Sequence, residues 1–377
     1  MLAERGMTLS HAALHKYEAG LSTPSARTIM FVAEAFGVRP DYFIRDDPMK
    51  VEWLAFRRRH RLPKAAADRI KSAAHATIEH QVRLQRLLGA SADSRFPEPQ
   101  AVSDVDGAEA LAQAVREYWK LGEAPVASMT RTIEDHGGVV VEVKPPKPGF
   151  DGLAGRADEC PVVLISSESA SDRKRYNLAH ELGHLAMSCD GIAEKEEERL
   201  AHRFAAAFLV PASVARLELG TKRRHLDLDE LLPLKRRHGL SIQAWIRRAS
   251  DLEIITPPMY KRLCVSVSRR GWRKHEPGAY EIDERPVRLR QMLLRALAED
   301  LVSHDYAEEV MPGITESAAT EFPGEMHLAS KLLDASPEYR DDVLRRAAES
   351  LRGEYEEGGE LRDTDLVDLD DDDDPVS

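Results

Sequence analysis

The stretch RYNLAHELGHLAM, residues 175–187, limits this chain more than any other, because HELGH sets His180, Glu181 and His184 in one proline-free run. On an α-helix, residues four apart lie on one face about one turn apart, so both imidazoles can reach a single ion while Glu181 stands beside the remaining coordination position. That arrangement suits metal-assisted hydrolysis: zinc lowers the pKa of water, and a carboxylate just outside the ligand sphere takes the proton and passes it to the leaving group. Leu178, Leu182 and Leu185 recur at helical spacing, which predicts a helix with one buried face. The competing reading is a core helix with two ordinary histidines. Catalytic zinc takes three protein ligands as a rule and keeps one position open, so a further ligand must come from elsewhere in the chain.

The nearest source is EKEEERLAHRFAAAFLVP, residues 194–211. Leu200, Ala201, Phe204, Ala205, Phe208 and Leu209 give a helix with one buried face, and Pro211 ends it. Glu194, Glu196, Glu197 and Glu198 open this helix, with His202 one turn after Glu198, so spacing alone leaves the third ligand undecided. Upstream, residues 106–138 predict two helices, the first amphipathic through Leu111, Val115, Tyr118 and Trp119, the second ending at Gly137 and Gly138. VVVEV (139–143) predicts a strand stopped by Pro145, Pro146 and Pro148. DGLAG (151–155) reads as a turn region, and PVVLISSES (161–169) as a second strand leading into the HELGH helix. An edge strand beside a metal helix can pair with an extended peptide and hold its scissile carbonyl in place.

HELGH followed by E-x-x-A-x-x-F-A-x-x-x-L-x-P, here Glu198 to Pro211, resembles the ImmA/IrrE family of zinc-dependent metallopeptidases, which cleave regulatory repressors in bacteria. The resemblance covers residues 101 to about 300. It implies Zn2+ held by His180, His184 and Glu198, with Glu181 activating water, and a protein substrate that is a transcriptional repressor. The family commonly has asparagine where this chain has His202, which keeps His202 as the other ligand candidate. For Glu194, Glu196 and Glu197 the resemblance implies no role, and a solvated face is expected.

Residues 1–46 are similar to a second family. A turn at Gly6, a helix from about Ser10 to Ala19, a break at Gly20 and a helix capped near Thr23 with Pro24 at its first position lead up to AEAFGV. Ser10 to Glu18 resemble the recognition helix of XRE-type helix-turn-helix proteins, which implies DNA contacts from Ser10, His11, His15 and Lys16. In that family two helices precede this point, whereas here the chain opens at Met1 inside what should be the second. The module is therefore expected to be partial and, lacking its bracing helices, a weak DNA binder. Next come Arg57, Arg58, Arg59, Arg61, Lys64, Arg69, Lys71, Arg83 and Arg86 against Asp68 and Glu79, a basic helical connector that either follows a nucleic-acid backbone or is simply solvated. SADSRFPEPQAVSD reads as a linker.

Beyond the zinc region, residues 228–255 predict a helix, a turn at Gly239 and a helix capped at Ser241. Arg236, Arg237, Arg247 and Arg248 of this helix-turn-helix-like pair either meet phosphates or pack on the peptidase as support. Helices are expected between Val287 and Glu309 and from Glu325 to Leu351. The formal charge of -12 is mostly local: nine acids against Arg362 in residues 360–377 predict an acidic, disordered tail. No apolar run reaches membrane-spanning length, and Cys160, Cys189 and Cys264 lack CxxC spacing, which points to reduced thiols in a cytoplasm and to no membrane partner.

The expected class is α+β: a mostly helical, zincin-like minimal metallopeptidase domain with helical flanking domains. Its parts are a partial helix-turn-helix (1–46), the basic connector and linker (47–100), the peptidase domain (101–220), a helical region with the paired helices (221–310), C-terminal helices (311–352) and the tail (353–377). The rival reading is a DNA-binding transcriptional regulator whose metal domain is sensory or structural rather than proteolytic.

Overall fold

The computed structural model describes residues 11–18, 21–36, 49–54, 64–89, 96–146, 149–273 and 275–314. Gly6, Ser10, Ala19, Gly20, the helix expected over 325–351 and the acidic tail lie outside the described residues. The N-terminal segment folds as α1 (His11–Glu18) and α2 (Ala26–Phe36). The cap of α2 is Ser25 and not Thr23, since Ser25 Oγ accepts the Thr28 N–H at 3.2 Å.

The segment read as a basic connector supplies β1 (Val51–Trp53) and α3 (Lys64–Leu87), and both belong to the sheet region. After β2 (Gln100–Ala101) come α4 (Val105–Tyr118) and α5 (Met129–Asp135), then three strands, β3 (Val139–Val143), β4 (Gly152–Ala157) and β5 (Cys160–Ser166). β5 leads into α6 (Ser171–Ala186), which carries HELGH, and the short β6 (Met187–Ser188) pairs with β2. α7 (Glu194–Leu209) holds the acidic run, followed by α8 (Ala212–Leu219), α9 (Leu231–His238), α10 (Ile242–Asp251) and α11 (Pro257–Arg269). α12 (Arg288–Ala298) crosses into a second compact unit beginning at Leu293, where α13 (His304–Val310) lies.

The four-stranded sheet runs β1-β4-β5-β3, with β3 parallel to β5 and the other pairs antiparallel. β5 is therefore interior, paired on both sides, and cannot be the edge that receives a peptide. DGLAG is the other correction: it lies at the start of β4, whose glycines and alanines have low strand propensity, so the sequence signal was weak. The run VVVEV is apolar on both pleat faces because both are covered. Val139, Val141 and Val143 face α3 residues Ile70, Ala74, Ile78 and Val82. Val140, Val163 and Ile165 face the larger core that contains α6 and α7.

Three fully buried arginines fix the helices around that core. Arg116 on α4 donates to the Phe208 carbonyl at 2.6 Å, and Arg248 on α10 donates to the Val210 carbonyl at 3.0 Å while pairing with Glu109. They satisfy carbonyls that the end of α7 leaves unbonded, with charge of the sign that a helix C-terminus favours. Arg248 is thus support and not a phosphate contact. Arg247 pairs with Asp251 at 2.9 Å and Arg237 with Glu218 at 3.0 Å, and Trp245 between them is fully buried, so the paired helices pack on the core that contains α6 and α7. Arg175, on α6, donates to Glu284 at 3.0 Å and to the carbonyl of His238 at 3.1 Å. Glu284 also accepts from Ser128 Oγ at 2.8 Å and Thr130 N at 2.9 Å at the start of α5. Glu284→Ala strips the buried Arg175 charge of its partner, and urea unfolding should show a loss of about 3–5 kcal/mol.

Candidate metal centre

α6 and α7 pack along each other, and their crossing brings the two halves of the site together. At the crossing, Gly183 of HELGH faces the Phe204 ring, where an added Cβ would stand 3.1 Å from Cδ1. The absence of a side chain at 183 lets α7 approach closely enough for Glu198 to reach the imidazoles. Leu178, Leu182 and Leu185 are fully buried, as their spacing predicts.

The converging atoms are His180 Nε2, His184 Nε2 and the Glu198 carboxylate. The two nitrogens are 3.2 Å apart, His180 Nε2 is 3.4 Å from Glu198 Oε2, and His184 Nε2 is 3.6 Å from Glu198 Oε1. A tetrahedral cation with bonds of about 2.0–2.1 Å requires ligand atoms roughly 3.3–3.4 Å apart, so this donor set fits such an ion. Its chemistry fits as well, with two imidazoles and one carboxylate. Hydrogen bonding to His180, and then to His184, holds the Glu198 carboxyl far below the usual carboxylate range against the opposing effect of burial. Among the described residues, His180, His184 and Glu198 form a group whose ligand atoms all lie within 4.8 Å of one another, and His202 is not in it.

Instead, His202 lays its ring 4.4 Å from that of His180, centroid to centroid. Tyr176 Oη lies 3.3 Å from both Nδ1 and the backbone oxygen of His202. Burial pushes the Tyr176 phenol up from its ordinary range, so it stays protonated and able to donate. Both residues line a cavity of about 790 Å³ that reaches Glu198, with Arg199, Arg203 and Arg247 on its wall. Glu181 is fully buried and faces β4: a Cβ added at Gly152 would stand 3.0 Å from its Oε1.

One residue departs from its expected place on a solvated face. Glu197 is only 13% exposed, and its Oε1 lies 3.4 Å from His184 Nδ1, the ring nitrogen that points away from Glu198. A carboxylate there fixes the ring's tautomer and orientation. The signal was present in the sequence, since Glu197, Ala201, Phe204 and Phe208 share one helical stripe. Glu196 does face solvent, paired with Arg199. At the N-terminus, His15 and Lys16 are exposed on α1, Ser10 lies outside the described residues, and the side chain of His11 is not described.

Comparison with known families agrees with this geometry. Residues 133–250 match the model of the IrrE N-terminal-like domain of peptidase family M78. Residues 1–43 match a helix-turn-helix model. The chain joins an M78-type metallopeptidase domain to an XRE-type helix-turn-helix. A search of curated proteins found no match. The M78 domain implies a protein substrate and suggests a metal ion, and the helix-turn-helix is of a kind that can bind DNA. Among the described residues no single helix is long and apolar enough to cross a membrane. In the M78 domain Glu197→Ala should weaken divalent-metal binding by about 10–100-fold, measured by competition with a chelating dye, because His184 loses its orienting partner.

Proposed function

We propose that this chain is a zinc-dependent endopeptidase that cuts a regulatory repressor protein in the cytoplasm, with zinc held by His180, His184 and Glu198. The carrying observation is the convergence of those three side chains: the two Nε2 atoms are 3.2 Å apart, and they lie 3.4 and 3.6 Å from the two oxygens of Glu198, close to the edge length of a tetrahedral zinc site. Held by two neutral imidazoles and one carboxylate, bound zinc keeps a net positive charge and supplies the Lewis acidity that polarises a peptide carbonyl and acidifies water.

The chain's own groups do the rest. Glu181, buried and next to His180, takes the proton of the attacking water and returns it to the leaving nitrogen. Glu197 keeps His184 turned inward. The cavity beside Glu198 is large enough for substrate side chains. A repressor is favoured as substrate because residues 1–43 match a helix-turn-helix, which supports a role in gene regulation. His15 and Lys16, exposed on α1, serve as phosphate contacts of that module.

Co-expression with a neighbouring repressor, followed by mass spectrometry of the fragments, tests the substrate. Glu181→Gln should keep one zinc per chain yet lower cleavage by about 10²–10⁴-fold. Unchanged cleavage would remove Glu181 from the mechanism. Zinc content separates the ligand candidates: Glu198→Ala should lose the ion and His202→Ala should keep it, and the reverse result would transfer the third position to His202.

A further inference from the structure

We propose that β1 is a built-in occupant of the strand edge on which the substrate pairs, so that the segment leading out of the helix-turn-helix restrains the peptidase. The inference rests on the peptidase reading above and concerns its regulation.

β4 runs beside the HELGH helix. At its start, Gly152 stands against Glu181, and four residues later Arg156 donates from Nη2 to the Leu185 carbonyl at 3.4 Å. The strand thus spans the motif from its catalytic carboxylate to one residue past His184. One edge of β4 is bonded to β5, so an extended peptide brought alongside this helix has only the other edge to pair with.

β1 holds that other edge. Val51, Glu52 and Trp53 pair antiparallel with Ala157, Arg156 and Gly155, and Leu54 N donates to the Ala154 carbonyl at 3.0 Å. The fit is close: a Cβ added at Gly155 would stand 2.7 Å from both the Glu52 carbonyl oxygen and the Trp53 ring. β1 therefore covers the half of the edge nearer Leu185, while its ladder ends at Gly155, short of Gly152 beside Glu181.

The attachment is short enough to exchange. β1 has three residues, with Glu52 exposed and Leu54 43% exposed. Its further anchors are the Trp53 ring under the Lys71 ammonium at 5.8 Å and a hydrogen bond between His75 Nε2 and the Met49 carbonyl at 3.0 Å. A peptide strand of greater length gains more ladder bonds on β4 than β1 gives up, and so displaces it.

The test uses the full zinc-loaded chain and a mixture of fluorogenic decapeptides. Leu54→Pro removes the bonded N–H at an exposed position and should raise kcat/KM by about tenfold, chiefly through KM, with zinc content unchanged. The double variant E52C/R156C places cysteines at directly opposed positions, within disulfide reach. Oxidation should lower its cleavage by about tenfold or more, and reductant should restore it. Equal rates in wild type, Leu54→Pro and the oxidised double variant would overturn the restraint while leaving the peptidase intact. A fall with Leu54→Pro, in a chain that keeps its zinc and its melting temperature, would make β1 a positive part of the site and overturn it too. No cleavage by any of them, each with one zinc, would overturn the peptidase reading and the restraint together.

Discussion

The contact between α6 and α7 is the constraint on which the site depends. His180 and His184 belong to one helix and Glu198 to the next, and nothing covalent sets their separation beyond a connecting segment of 187–193. Packing sets it, through Gly183 against Phe204 and a row of fully buried leucines. Close-packed interiors yield little to added volume, so the helix spacing is firm and the two imidazoles and the carboxylate stay together. The convergence of these three side chains is thus a property of a hydrophobic interface before it is a property of any polar group.

Buried charge reinforces that interface from outside. Arg116 and Arg248 bond the last carbonyls of α7, and Arg175 ties α6 to the start of α5 through Glu284. Each guanidinium is fully buried with a carbonyl or carboxylate partner, the condition under which desolvating a charge is tolerable. Their common effect is to hold at several points the two helices that carry His180, His184 and Glu198. The helix pair α9–α10, which resembles a nucleic-acid reader in sequence, spends its most buried arginine in this way.

The sheet gives the site its other wall. β4 is poor in large side chains because Glu181 crowds it on one side and β1 on the other. The same scarcity that hid the strand in the sequence lets β4 lie close to Glu181 at Gly152 and close to β1 at Gly155. The segment that matches a helix-turn-helix lies upstream of β1 in the sequence, and β1 runs along the free edge of β4.

The sequence by itself determined the local chemistry: HELGH on a helix with Leu178, Leu182 and Leu185 inward, the strand at 139–143, and the helix carrying Glu198 with its apolar stripe. These follow from period and from residue type, which act over one or two turns. It also carried the stripe that includes Glu197, although charge at the start of a helix masked it. Tertiary structure alone decided that Glu198 and not His202 converges with the histidines, that β5 is interior, that Arg248 is a strut, and that a basic connector lends a strand to the sheet. Each of these depends on distances between elements far apart in the chain, and such distances are set by how side-chain volumes pack, which no local pattern encodes.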